Sequence, residues 1–121
     1  MKLIIAGSRH ITVAFHEMCG ILKEKLGDNW RQMVDEIVSG NAPGVDRSGD
    51  NFSSNSYIKC TRFPANWIKY GKAAGSTRNL EMAIYADALL LIWDGKSRGS
   101  ANMKARMNGM GKPIYEVIKH V

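Results

Sequence analysis

Four short segments of the sequence combine glycine with hydroxyl-bearing and basic side chains. They are residues 7–9 (GSR), 39–46 (SGNAPGVD), 75–79 (GSTRN) and 94–100 (DGKSRGS). Glycine lets the main chain approach a ligand closely, hydroxyl groups donate hydrogen bonds, and guanidinium groups pair with phosphate. These residue types therefore predict a phosphate-binding site to which all four segments contribute.

Each part of this predicted site has an expected role in holding a phosphorylated ligand. Backbone N–H groups of residues 7–9 and 95–100 are expected to cradle the phosphate, and Arg78 to pair with it through two hydrogen bonds. Asp46 and Asn79 are expected to bind ribose hydroxyls or the edge of a base. The predicted ligand-binding residues are Gly7, Ser8, Arg9, Ser39, Gly40, Asn41, Gly44, Asp46, Lys72, Arg78, Asn79, Asp94, Gly95, Ser97, Gly99 and Ser100. No metal ligand and no cofactor are predicted.

Taken singly, the same residues also have ordinary structural interpretations. Residues 7–8 fit a turn followed by a helix cap, and Asp46 fits a carboxylate that complements a helix dipole. Trp67 and Tyr70 fit either of two roles, packing in a lid or core, or stacking on a base. The three histidines share no motif and are given no role. The prediction of a site depends on the four segments meeting at one edge of the fold.

Five short runs rich in apolar residues predict the strands that would position these segments. They cover residues 2–6, 35–39, 57–63, 88–93 and 113–118, and in the third run apolar and polar residues alternate as on an edge strand. Helical patterns fill the gaps between them, so the predicted fold class is α/β. We expect a Rossmann-like, doubly wound three-layer sandwich whose five-stranded sheet is mainly parallel, with strand order 3-2-1-4-5.

The helical patterns differ in strength along the chain. Met18, Ile21, Leu22 and Leu26 recur at helical spacing, with Thr12 as the expected N-cap. Weaker patterns predict helices around residues 45–55, 80–84 and 101–105. Residues 70–82 (YGKAAGSTRNLEM) are expected to form a flexible lid over 71–75, with Arg78 in the first turn of the helix that follows.

Composition places the chain among globular proteins. With 121 residues, 45% hydrophobic and 23% charged, it predicts a single domain over 1–121 that lies in the cytoplasm without a membrane span. The net charge of +6 favours an anionic partner. Cys19 and Cys60 are expected to be buried thiols. The P-loop, the dinucleotide-binding GxGxxG, the GxSxG elbow and the HExxH motif are all absent from the sequence.

Several motifs, in order along nearly the whole chain, resemble the SLOG superfamily. They are residues 7–9, 39–46, 63–67 with 70–75 (FPANW and YGKAAG), 78–82 (RNLEM), 93–100 and 111–113 (GKP). The chain is most similar to a small bacterial and phage branch of this superfamily. The resemblance implies a Rossmann-like fold that binds a nucleotide or a nucleotide-derived molecule, including ADP-ribose-like or cyclic ones, for sensing or sequestration. It also implies a homodimer formed through helices; Met103, Met107 and Met110 fit either an interface or the core.

Two other activities follow from relatives within the superfamily. Lonely Guy phosphoribohydrolases cleave N-glycosidic bonds with an arginine that Arg78 matches and a glutamate that has no counterpart after Ser100. Asp46 or Asp94 would have to replace that carboxylate from within the same pocket, so whether the protein is an enzyme stays open. DNA-processing protein A has similar loops and binds single-stranded DNA, which is the third hypothesis.

Overall fold

The sheet of the protein contains five strands, all of them parallel to their neighbours. The computed structural model describes residues 1–120; Val121, the last residue of the predicted domain, lies outside them. The strands are β1 (Lys2–Gly7), β2 (Glu36–Ser39), β3 (Lys59–Arg62), β4 (Ala88–Trp93) and β5 (Ile114–Ile118). Their order is β3-β2-β1-β4-β5. The predicted fold class and strand order are both confirmed.

Residues 1–120 contain six helices. They are α1 (Phe15–Leu26), α2 (Trp30–Met33), α3 (Val45–Ser56), α4 (Trp67–Tyr70), α5 (Ala74–Tyr85) and α6 (Arg98–Gly109), with a 3₁₀ turn over Gly71–Ala73. One core joins α1, α2 and α3 to one face of the sheet, and a second core joins α5 and α6 to the other. No helix in residues 1–120 is long and apolar enough to cross a membrane.

The central strands are mostly apolar because each of their faces contributes to a separate core. In β1, Leu3 belongs to the first core and Ile4 to the second, and both are fully buried. The strand β3 lies at the edge of the sheet as predicted. It exposes Lys59 and Arg62 and partly buries the two residues between them, so its exposure does not alternate. The α6 methionines Met103 and Met107 are buried in the second core, so they are core residues.

Three local predictions were wrong. Thr12 does not cap α1, which begins at Phe15 after Ala14 and has no side-chain cap. The thiols Cys19 and Cys60 pack against the first core but are only partly buried. Both are free of a disulfide.

The lid predicted over residues 71–75 is a 3₁₀ turn followed by the first residues of α5. The short helix α4 precedes it, and its first turn is capped by Asn66 accepting the N–H of Lys69 at 3.0 Å. Because α5 starts at Ala74, Arg78 lies in its second turn, although the first turn was predicted. Polar residues near the start of α5 have partners within the protein, since Ser76 Oγ accepts hydrogen bonds from Asn102 and Arg106.

Lys112 fixes the opposite end of α5. Its Nζ donates hydrogen bonds to the carbonyl oxygens of Ala83 at 2.7 Å, Ile84 at 3.1 Å and Ala86 at 2.7 Å. A positive charge at a helix C-terminus also complements the helix dipole. In the GKP motif, the lysine therefore has a structural role far from the edge where the other motifs meet.

Candidate functional site

The candidate site is a crevice at the carboxyl ends of β1 and β4. These strands are neighbours, and the helices that follow them lie on opposite faces of the sheet, so the two loops diverge and leave a crevice between them. An inner cavity of about 260 Å³ and an outer cavity of about 270 Å³ adjoin there. Arg9, Ala42 and Arg78 line both cavities.

Most of the predicted site residues line this crevice. Those in the inner cavity are Gly7, Arg9, Asp46, Arg78, Asn79, Ser97, Gly99 and Ser100. Gly40 and Asn41 line the outer cavity. The predicted residues that line neither cavity are Ser8, Ser39, Gly44, Lys72, Asp94 and Gly95. Among these, Lys72 is simply exposed on the 3₁₀ turn.

Ser8, Ser97 and Asp94 form a hydrogen-bonded chain that joins the loops after β1 and β4. The Oγ atoms of Ser8 and Ser97 lie 2.8 Å apart, and Ser8 Oγ also accepts the N–H of Asp94 at 3.1 Å. Ser97 Oγ in turn donates to Asp94 Oδ1 at 3.0 Å. Ser8 is fully buried, so its contribution is to hold the two loops together rather than to face a ligand.

Asp94 organises the loop that leads into α6. Its Oδ1 accepts the N–H groups of Lys96 at 2.8 Å and Ser97 at 2.9 Å, and these hydrogen bonds hold the pKa of the carboxyl far below its usual range. His10 Nε2 lies 3.3 Å from Asp94 Oδ2. The N–H groups of residues 95–100 were predicted to cradle a phosphate. Those of Lys96 and Ser97 already donate to Asp94, so fewer of these N–H groups remain for a ligand.

The remaining donors of that cradle are the first N–H groups of α6. Within residues 1–120, no acceptor contacts the N–H groups of Arg98, Gly99 or Ser100, while Ala101 N–H already bonds to Ser97 at 3.0 Å. Ser100 is 4% exposed, lines the inner cavity, and its Oγ has no hydrogen-bond partner among the described residues. A helix N-terminus with a buried, unpaired hydroxyl beside it is suited to an anion.

Arg78 divides the inner cavity from the outer one. Its Nε donates to Asn79 Oδ1 at 3.0 Å, and its Nη1 donates to the carbonyl oxygen of Gly40. Burial lowers the pKa of Arg78, Asp46 opposes that shift, and Arg9 adds to it. Arg78 was expected to bind phosphate through two hydrogen bonds. Its Nε and Nη1 already bond within the protein, so Nη2 is the nitrogen that forms no bond within residues 1–120.

Glycine at position 40 is what allows Arg78 and Asp46 to lie so close to the same loop. A Cβ atom on Gly40 would lie 2.7 Å from Arg78 Nη1 and 2.7 Å from Asp46 Oδ2. Any larger residue would therefore displace both of these side chains. Arg9, by contrast, is exposed and has no hydrogen-bond or ion-pair partner within the described part of the chain.

Asn79 positions the start of α6. Its Nδ2 donates to the carbonyl oxygen of Gly99 at 3.2 Å and to Asn102 Oδ1 at 3.0 Å. Because its Oδ1 already accepts from Arg78, each polar atom of the amide has a partner within the protein. In this conformation Asn79 connects Arg78 to the α6 N-terminus, although ribose or base contacts were expected of it.

Asp46 is a buried carboxyl on the wall of the inner cavity. It is 5% exposed, and the N–H groups of Gly7 and Ala42 approach it only at 3.4 and 3.5 Å. Burial raises its pKa to about 6, despite the nearby charge of Arg78. Near neutral pH this side chain is able to accept a proton or a hydrogen bond from a ligand.

Replacing Asp46 by asparagine should remove a pH dependence of stability. The folded-state pKa of about 6 lies above the ordinary value of 3.8 for an aspartate side chain, so the folded state binds this proton more tightly than the unfolded state. Stability is therefore lost as pH rises from about 4 to about 6, by roughly 3 kcal/mol in total. Urea unfolding at several pH values should show this loss in the wild type and in an exposed Glu24→Gln control, but not in Asp46→Asn. If stability changed equally with pH in all three proteins, the raised pKa of Asp46 would be contradicted.

His10 is a residue of the site that sequence reasoning missed. It lines the inner cavity next to Arg9 and pairs with Asp94. The signal was its position directly after the GSR segment, which brings it to the same edge of the sheet. Among residues 1–120, no group of three or more histidine, cysteine or acidic side chains is arranged to hold a metal ion.

The site as a whole is a crevice that combines hydrogen-bond donors and positive charge with a buried carboxyl on one wall. The α6 N-terminus, Ser100 Oγ, Arg9 and Arg78 Nη2 supply donors and positive charge, and Asp46 supplies an acceptor. The comparisons with known proteins found no matching family model, no matching curated protein and no matching solved structure.

Proposed function

We propose that the protein binds a nucleotide or a nucleotide-derived molecule in this crevice, for sensing or for sequestration. One observation carries the proposal: Ser100, whose buried hydroxyl has no partner within residues 1–120, and the first residues of α6, whose N–H groups have no acceptor there, line the same cavity as Arg9 and Arg78. Buried donors without an acceptor are unfavourable, and a bound anion would supply the acceptor that they lack. The motifs shared with the SLOG superfamily support the same ligand class.

The dimensions of the crevice favour a small ligand over a nucleic acid strand. The two cavities are each under 300 Å³, and a ligand pocket normally encloses most of its ligand. A single-strand binder instead uses an extended basic groove that tracks several phosphates. Affinity for single-stranded DNA that falls steeply with salt would favour the third hypothesis from the resemblance.

Replacing Arg9 by alanine should weaken nucleotide binding without affecting the fold. Arg9 makes no bond within residues 1–120, so the unliganded protein should unfold at the same urea concentration as the wild type. Loss of one charge-assisted hydrogen bond should reduce affinity by roughly ten- to a hundredfold. Calorimetric titration with AMP, GMP, CMP, UMP, cyclic AMP and ADP-ribose provides the measurement.

The matched control for this experiment is Arg47→Ala. Arg47 is also exposed and lies on α3, but it lines neither cavity. Its replacement removes the same charge and should leave affinity within about twofold of the wild type at moderate salt. Equal losses in both variants would mean that binding is non-specific attraction to a basic protein. No binding of any of the six compounds by the wild type would contradict the proposal.

A second candidate function, N-glycosidic hydrolysis, is favoured by the position of Asp46. Of the two carboxylates that would have to replace the absent glutamate, Asp46 lines the inner cavity with Arg78, whereas Asp94 is committed to its own loop. A carboxylate there would stabilise positive charge on the ribose carbon. Release of free base from a nucleoside monophosphate, abolished by Asp46→Asn, would favour this function over binding alone.

A further inference from the structure

The outer cavity has an aromatic side that the anion site does not need. Trp67 lines it and is 53% exposed, which is unusual for a tryptophan that could pack in a core. No residue of α4 is buried. Pro43 and Pro64 supply further apolar surface around the same cavity. A tryptophan held over a concave surface leaves one side of its ring free for a flat partner.

Trp67 and Arg78 meet across Gly75. The point where a Cβ atom on Gly75 would lie is 3.8 Å from Trp67 Cη2 and 4.0 Å from Arg78 Nη2. The indole edge and the free guanidinium nitrogen thus border one small space above the start of α5. Because Arg78 also lines the inner cavity, a ligand held at the α6 N-terminus can extend past Arg78 to reach Trp67.

The polar surroundings of the outer cavity suit the edge of a heterocycle. Asn41 lines it, is exposed, and its side-chain amide has no hydrogen-bond partner within residues 1–120. An amide offers both donors and acceptors, as the edges of nucleobases require. The inner cavity, in contrast, combines positive charge with the donors of a helix N-terminus.

We propose that the outer cavity binds the base of the ligand, stacked on Trp67, while the phosphate occupies the inner cavity. This inference rests on the proposed function and narrows it to ligands that carry both an anionic group and an aromatic base, of the nucleoside monophosphate class. The ribose lies beside Arg78 and Ala42, which border both cavities. Stacking of one base on an aromatic side chain contributes about 1–3 kcal/mol.

The test compares ligands with and without a base in wild type, Trp67→Ala and Trp67→Phe. AMP, GMP, CMP and UMP carry the base, and ribose 5-phosphate lacks it. Trp67→Ala should weaken binding of the best nucleotide by roughly five- to a hundredfold and leave ribose 5-phosphate unchanged, and Trp67→Phe should restore most of the affinity. Tyr57→Ala is the control, because Tyr57 is 97% exposed and lines neither cavity.

Tryptophan fluorescence gives a second, independent measurement. Trp30 and Trp93 are 6% and 7% exposed, so acrylamide quenching of the unliganded protein reports mainly on Trp67. Saturation with the best nucleotide should reduce that quenching, and saturation with ribose 5-phosphate should not. Unchanged nucleotide affinity in Trp67→Ala would overturn this inference while leaving the proposed function in place. Failure of the wild type to bind any of the four nucleotides would overturn both.

Discussion

Replacing Gly44 by alanine should destabilise the fold by about 2–6 kcal/mol. Gly44 has φ of 83° and ψ of −129°, a conformation that is strained for every residue with a side chain. Its added Cβ atom would also lie 2.4 Å from the carbonyl oxygen of Ser8 and 2.5 Å from that of Arg9. Both contacts are with main-chain atoms, which cannot rotate away.

The matched control for Gly44 is Gly20, which lies on the exposed side of α1. An alanine there would meet nothing within 4 Å and should stabilise the protein by about 0.5–1 kcal/mol, because alanine is the better helix former. Urea unfolding followed by circular dichroism measures both changes. If Gly44→Ala were as stable as Gly20→Ala, the close packing of the loops after β1 and β2 would be wrong.

Replacing Ser100 by alanine should stabilise the unliganded protein and weaken ligand binding at the same time. The buried Oγ of Ser100 has no partner within residues 1–120, and an unsatisfied buried hydroxyl costs about 1–3 kcal/mol. Removing it relieves that cost. The same change deletes a donor from the anion site, so nucleotide affinity should fall by roughly ten- to a hundredfold.

Replacing a different helical serine by alanine is the control that separates this effect from the higher helix propensity of alanine. Ser54 is exposed on α3, and Ser54→Ala should change stability by at most about 0.5 kcal/mol and leave affinity unaltered. Urea unfolding and calorimetric titration with the best nucleotide are needed for both variants. A structural role for the Ser100 hydroxyl would instead lower stability in Ser100→Ala, which would remove the main argument for an anion at this position.

The sheet was predictable from the sequence because its physical signals are strong. Residues 3–6 and 88–93 are buried on both faces of the sheet, and they are all apolar. The edge strand is only partly buried and contains more polar residues. Together with the preference for right-handed crossovers, these patterns leave few strand orders. The confirmed order follows from them.

The helix α5 was predicted only around residues 80–84, because its first half is polar for an unusual reason. Arg78 and Asn79 lie on α5, but they face the crevice and the start of α6 instead of solvent. Polar residues directed inward interrupt the apolar stripe, so periodicity gives only a weak signal for this helix. The short α4 did carry a signal, since Asn66 precedes it as an N-cap residue.

The sequence predicted which loops lie together at the site, but not which hydrogen bonds their residues make. The sequence located the segments around Gly7, Asp46, Arg78 and Ser100, because parallel strands bring their carboxyl ends to one edge. It could not show that Asp94 and Ser8 bond within the protein, or that Ser100 Oγ stays unpaired. Those distinctions depend on distances of a few tenths of an ångström between loops far apart in the chain.

The start of α6 has a consequence for how this protein can change over evolutionary time. The donors of the proposed anion site are the main-chain N–H groups of Arg98, Gly99 and Ser100, which most substitutions leave in place as long as the helix forms. The side of the crevice that we propose binds the base depends on the side chains of Trp67 and Asn41. Under this proposal, descendants of the chain should keep binding anions while their preference among bases changes.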